Sequence, residues 1–285
     1  TAAQQHGAQR PLQVLLEVGY PNGRCGVRTL DDALRVCAAV RQTAGALTLV
    51  GVAGFEGLNQ YGGPADRETN ARAFLRHMAG VAREVDHGGY FDSGHVILSA
   101  GGSAFYDLVL EEFAAVRLSR PSRIVVRSGC YLTHDNQLYR SLQGEVEQRL
   151  GLEPADANAE QGTGRPGRRL QPALEVWGQV ISAPDAQTII LCAGRRDYGQ
   201  DAGNPVPVRW HRAATGQWGR LPADAKISMV SDQHTNLTLA PGHGVEVGDL
   251  VSLGVSHPCT TFDKWQGLYV IDDDGIVVDA VRTWF

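Results

Sequence analysis

The feature that most constrains the fold of this chain is a change of periodicity near its middle. Up to about Asp135, short apolar runs alternate with segments of helical spacing: Leu12–Val18, Leu47–Ala53, Val96–Ser99 and Arg123–Arg127 read as buried strands. Between them, helices are expected after Thr29-Leu-Asp-Asp32, over Glu68–Val85 and over Phe105–Val116. Strands joined through helices run parallel with right-handed crossovers, in a sheet or a barrel. Glu153–Pro172 breaks the pattern, being rich in Gly, Pro and Ala without periodicity. Beyond it the segments are short, alternating and punctuated by turns: Leu174–Ile181, Thr188–Cys192, Pro207–Arg212, Lys226–Val230, Asn236–Leu239, Leu250–Gly254, Leu268–Ile271 and Ile276–Val281. That is the signature of an antiparallel barrel or sandwich. The expected class is α/β plus all-β, with a β/α portion over 1–150, a linker over 151–172 and a β-stranded domain over 173–285.

Composition narrows the function classes. The 285 residues carry 26 basic and 31 acidic side chains, a net charge of −5, and show no basic run. A nucleic-acid or anionic-membrane surface is therefore not expected. No apolar stretch reaches the ~18 residues that span a bilayer, and Thr1–Arg10 lacks the apolar core of a signal peptide. The five cysteines are widely spaced and odd in number, which fits reduced thiols in a cytoplasmic protein. Of the 26 basic residues only Lys226 and Lys264 are lysines.

Ligands of parallel α/β proteins gather at the carboxyl ends of the strands. Four glycine-bearing segments fall there: Glu17–Gly26 with Arg24, Gly54-Phe-Glu-Gly57, Ser99-Ala-Gly101-Gly102-Ser103, and Arg127-Ser-Gly129-Cys130-Tyr131. Ser99–Ser103 offers backbone N–H groups and a hydroxyl to an anion, although turn glycines with an N-cap serine account for it equally. Together with Arg127–Tyr131 it makes a candidate phosphate clamp. In the β half, His257 and Cys259 stand two apart in Ser256-His-Pro-Cys-Thr-Thr-Phe-Asp263. On an extended segment they would project to the same side, and an imidazole with a thiolate suits zinc; a turn histidine and a buried cysteine is the structural alternative. His234 is a lone candidate of the same kind. Gly242-His-Gly244 reads as a turn, and Asp272-Asp-Asp-Gly275 as an acidic β-turn lacking the spaced ligands of a calcium loop.

Taken in order, these stretches resemble the pyridoxal-phosphate enzymes of alanine-racemase-like fold, in the D-serine dehydratase and D-threonine aldolase group. The resemblance is carried by Leu16-Glu-Val-Gly with Arg24-Cys-Gly-Val27, Ser99–Ser103, Gly129–Tyr131, Ala193-Gly-Arg-Arg-Asp197, Asp201-Ala-Gly203, Asp232-Gln-His234, Val247-Gly-Asp249 and, most specifically, Ser256–Trp265. It implies a partial (β/α)8 TIM-type barrel followed by the β domain. It also implies pyridoxal 5'-phosphate, with Arg24 near the phenolic oxygen and Gly101, Gly102, Ser103, Arg127, Gly129, Cys130 and Tyr131 around the phosphate. A Zn2+ ion (or another divalent metal) would be held by His257 and Cys259. The implied reaction is dehydration and deamination of a D-3-hydroxyamino acid such as D-serine by a homodimer. The related aldolases tend to place a carboxylate at the second metal position, so Cys259 favours dehydration; a D-threonine aldolase and a non-catalytic cofactor-binding protein are the alternatives. The Schiff-base lysine of the family belongs on the first barrel strand. Neither Lys226 nor Lys264 matches it, so it is expected upstream of this sequence.

Overall fold

Leu16 and Val18 are buried on the first strand, β1 (Leu12–Val18), which pairs in parallel with β2 (Leu47–Gly54). The computed structural model describes residues 10–57, 64–152 and 170–284. Among them the chain divides into two compact units, Thr1–Gly129 and Cys130–Phe285.

In the first unit, β3 (Val96–Ala100) and β4 (Ser122–Val126) extend the parallel sheet in the order β1-β2-β3-β4. The crossovers are α1 (Leu30–Arg41), α2 (Pro64–His87) and α3 (Tyr106–Ala114). Thr29 caps α1 as expected, its hydroxyl accepting from the Asp32 N–H at 3.1 Å, with Asp31 and Asp32 in the first turn. Such a cap stabilises a helix by about 1 kcal/mol. Cys37, Leu75, Met78 and Phe113 of the helices and Leu49, Val52 and Leu98 of the strands are all buried. The four strands form an open parallel sheet rather than a closed barrel; the barrel expectation is met only as this portion of one.

The second unit begins within a 3-10 turn, Gly129–Tyr131, and continues into α4 (Leu138–Arg149), a helix the sequence reading does not anticipate. Its end, and most of the expected linker, lie next to or within residues outside the described set. The boundary between compact units thus falls ahead of the Gly/Pro-rich stretch, and α4 belongs with the β strands. These strands are β5 (Glu175–Asp185), β6 (Thr188–Leu191), β7 (Val206–Arg212), β8 (Gln217–Arg220), β9 (Lys226–Val230), β10 (Thr235–Thr238) and β11 (Leu250–Gly254). They form one seven-stranded sheet in the order β8-β7-β11-β5-β6-β10-β9, and every registered pair is antiparallel. Its core holds Val176, Ile189, Leu191, Leu237, Val251 and Leu253. Within that core Tyr198 is fully buried, its hydroxyl 2.5 Å from Thr235 Oγ1, which donates onward to the Ala193 carbonyl at 2.6 Å. After β11 come a single helical turn, α5 (Cys259–Phe262), and a separate hairpin of β12 (Gly267–Ile271) and β13 (Val277–Arg282). The acidic stretch forms the hairpin turn, Asp272 Oδ1 accepting from the Asp274 and Ile276 N–H groups at 3.0 and 2.8 Å.

Candidate metal centre and anion cradle

In the second unit, two loops far apart in sequence are stitched together. The Asn136 N–H donates to the Val255 carbonyl at 3.0 Å and the Leu138 N–H to the Ser256 carbonyl at 3.3 Å. Gly254 leaves room for the Asn136 side chain, since a Cβ there would lie 2.1 Å from Asn136 Nδ2. Asp135 caps α4 from outside it, accepting from the Gln137 and Tyr139 N–H groups at 2.9 Å each. Cys130, buried just upstream, is fixed by the His134 N–H donating to its carbonyl at 2.6 Å.

The stitching brings Cys130 to the expected pair. The candidate donor atoms of Cys130, His257 and Cys259 all lie within 4.8 Å of one another. Pro258, between His257 and Cys259, is helical at φ −78° and ψ −27°, and Cys259 opens α5. The two therefore do not converge as same-side neighbours on a strand; a helical turn brings them together instead. His257 Nε2 lies 3.7 Å from Asp201 Oδ2, while Nδ1 is buried without a hydrogen-bond partner among the described residues. An unpaired buried ring nitrogen costs about 1–3 kcal/mol unless something binds it. The Tyr139 ring lies against the imidazole, centroids 5.4 Å apart. Thr260 Oγ1 donates to Asp201 Oδ1 at 2.6 Å, and the Gly199 N–H donates to Thr261 Oγ1 at 2.9 Å, so α5 is anchored to the 199–201 loop. Burial pushes the Cys259 thiol up and the Asp201 charge adds to this, opposed by a hydrogen bond with Cys130. A bound cation would reverse that balance, because coordinated thiols lose their proton. Two sulfurs and one unpaired imidazole nitrogen form a donor set that fits zinc.

In the first unit, the strand ends do make an anion cradle, but a carboxylate of the chain fills it. Glu56, fully buried, accepts from the Gly101 N–H at 3.1 Å and the Gly102 N–H at 2.5 Å. Gly101 sits at φ +99°, and its Cβ would press on Val126, so the conformation demands glycine. With both amides committed, Gly101 and Gly102 do not fit as phosphate donors in this arrangement. Arg127 donates to Ser99 Oγ at 2.9 Å and to the Gly54 carbonyl at 2.7 Å, tying the ends of β2, β3 and β4. Arg24 is exposed, its guanidinium 5.5 Å from the Phe55 ring centroid. Ser103 is half-buried, Gly129 opens the 3-10 turn and Tyr131 is exposed. Of the phosphate set, Cys130 is found with the metal donors. His234 is exposed, and its carbonyl accepts from the Ser231 N–H at 2.8 Å. Sequence reasoning misses Glu56; its signal is a lone acid between glycines at a strand end.

Residues 173–271 match the family model described as "Putative serine dehydratase domain". No curated protein sequence is similar enough to count as a relative. Among solved structures, D-threonine aldolase from Filomicrobium marinum superposes with a TM-score of 0.67 at 19% identity, covering 98% of this chain and 64% of that one. An alanine-racemase-like protein from Idiomarina loihiensis gives 0.63 at 15%, covering 99% and 66%. D-threo-3-hydroxyaspartate dehydratase from Delftia sp. HT23 gives 0.62 at 17%, covering 99% and 69%. The fold is that of the fold type III, alanine-racemase-like group. The chain spans about two thirds of the length of each of these proteins. Among the described residues no helix is long and apolar enough to cross a membrane.

Proposed function

We propose that this chain is the metal-bearing portion of a pyridoxal-phosphate-dependent lyase that dehydrates a D-3-hydroxyamino acid such as D-serine, hydrolysis of the dehydrated product then releasing ammonia and a 2-oxo acid. The observation that carries the reading is the donor cluster of His257 with Cys259, in which His257 also has a buried Nδ1 with no hydrogen-bond partner among the described residues, inside a segment matching a serine dehydratase model. His257 and Cys259 would hold a divalent metal, and a metal held there supplies Lewis acidity toward the substrate's β-hydroxyl. Asp201 Oδ2 stands 3.7 Å from Nε2 of the imidazole, and Thr260 holds Asp201. The Tyr139 ring packs against the imidazole, centroids 5.4 Å apart.

The cofactor, when bound, supplies the electron sink for cleavage at Cα. Support for it comes from the fold likeness and the dehydratase-type segment, not from the glycine cradle that Glu56 fills. Lys226 and Lys264 are both exposed, so the lysine such a reaction uses is sought outside residues 1–285. The substrate is small and zwitterionic, and a homodimer with a cytoplasmic location completes the proposal.

D-threonine aldolase activity is the second reading, favoured by the likeness to the Filomicrobium protein. Incubating the intact gene product with D-serine and with D-threonine separates the two. Pyruvate and ammonia from D-serine support dehydration; glycine and acetaldehyde from D-threonine support the aldolase.

A further inference from the structure

We propose that Cys130 is a third protein ligand of the metal, giving a Cys2His donor set with one position left open. The inference rests on the metal reading of His257 and Cys259 and adds a residue from a distant part of the sequence. In a tetrahedral zinc site, metal–sulfur bonds of about 2.3 Å and metal–nitrogen bonds of about 2.0 Å set the donors roughly 3.5–3.8 Å apart. The three donors here lie within 4.8 Å of one another, so displacements below about 1 Å bring them into range. Cys130 is held to reach this point: it is 4% exposed, its carbonyl is fixed by His134, and the following residues are bonded to the end of β11.

Charge favours the third ligand as well. One thiolate and a neutral imidazole leave a divalent ion with a residual positive charge in a partly desolvated pocket, which is costly. Two thiolates neutralise it. A buried cysteine acting only as a small apolar side chain would account for Cys130 alone. It would not account for a neighbouring imidazole whose inward nitrogen has no partner among the described residues. Three protein ligands with an open fourth position is also the pattern of catalytic rather than structural zinc, and the open position is where a substrate hydroxyl would replace water.

Zinc-edge X-ray absorption on the zinc-loaded protein counts the sulfurs without any substitution. Two sulfurs per zinc are expected; a single sulfur overturns the inference while leaving the His257–Cys259 site standing. Cobalt(II) loading adds a second readout through its sulfur-to-metal charge-transfer band. Cys130→Ser is expected to keep one cobalt per chain, to lose about half the band and to bind at least about tenfold more weakly. An unchanged band in Cys130→Ser beside an abolished one in Cys259→Ser rejects the third ligand alone. No metal uptake by the unsubstituted protein rejects both the inference and the reading beneath it.

Discussion

His257 faces Asp201 with one ring nitrogen, 3.7 Å from Oδ2, and leaves the other buried and without a hydrogen-bond partner among the described residues. With a metal on the inner nitrogen, a carboxylate beside the outer one would orient the ring, as acidic groups do around metal-binding histidines. Asp201→Asn keeps the shape and the bond from Thr260 but weakens the grip on the imidazole. Metal affinity is expected to fall about 10–100-fold, measured by competition with a chromophoric chelator, with the melting temperature nearly unchanged.

Gly254 lies under the Asn136 side chain, where an added methyl would meet Nδ2 at 2.1 Å. Gly254→Ala is expected to destabilise the second unit by about 1–3 kcal/mol in denaturant unfolding. Metal affinity should fall with it, because the segment that shifts carries Cys130.

Asp249 is buried and pairs with Arg212 through two contacts of 2.9 Å, and it also accepts from the Glu246 N–H at 2.8 Å. Burial pushes its carboxyl up, but the Arg212 guanidinium and the Glu246 N–H outweigh this and hold it below the usual carboxylate range. A depressed folded-state value stabilises the fold above about pH 4 and is lost as pH falls through it. Acid unfolding should therefore steepen below about pH 4. Asp249→Asn should cost about 3–5 kcal/mol at neutral pH and flatten that acid limb, as thermal melts across pH 3–7 would record.

Glu56 holds the Gly101 and Gly102 amides, and its removal leaves two buried donors unpaired. Glu56→Ala is expected to cost about 2–4 kcal/mol in the stability of the first unit, and Glu56→Gln about half that. Equal stability of the alanine variant would show that the cradle has another occupant.

Much of this was legible in the sequence because period and chemistry agreed. Leu12–Val18 and Leu47–Gly54 announce themselves as continuous apolar runs, and Thr29 as a cap before acidic residues. His257 and Cys259 stood out as adjacent donors, although Pro258 turns helical instead of extended. Three features were hidden for physical reasons. Helix α4 starts at Gln137, a poor cap, because Asp135 caps it from two residues upstream. Strand β8, Gln217–Arg220, is four residues long and mostly exposed, so it carries no apolar alternation. Cys130 sits in a glycine-flanked turn that reads as an anion loop, and only the tertiary stitching to Val255 and Ser256 carries it to His257.

The most direct test follows ammonia release from D-serine by the intact gene product before chelation, after it, and after zinc is restored, with His257→Ala alongside. Activity should fall with chelation, return with zinc and remain at least about 100-fold reduced in the variant, whose folding is checked by circular dichroism. Undiminished ammonia release from the metal-free protein, or from folded His257→Ala, would contradict the account.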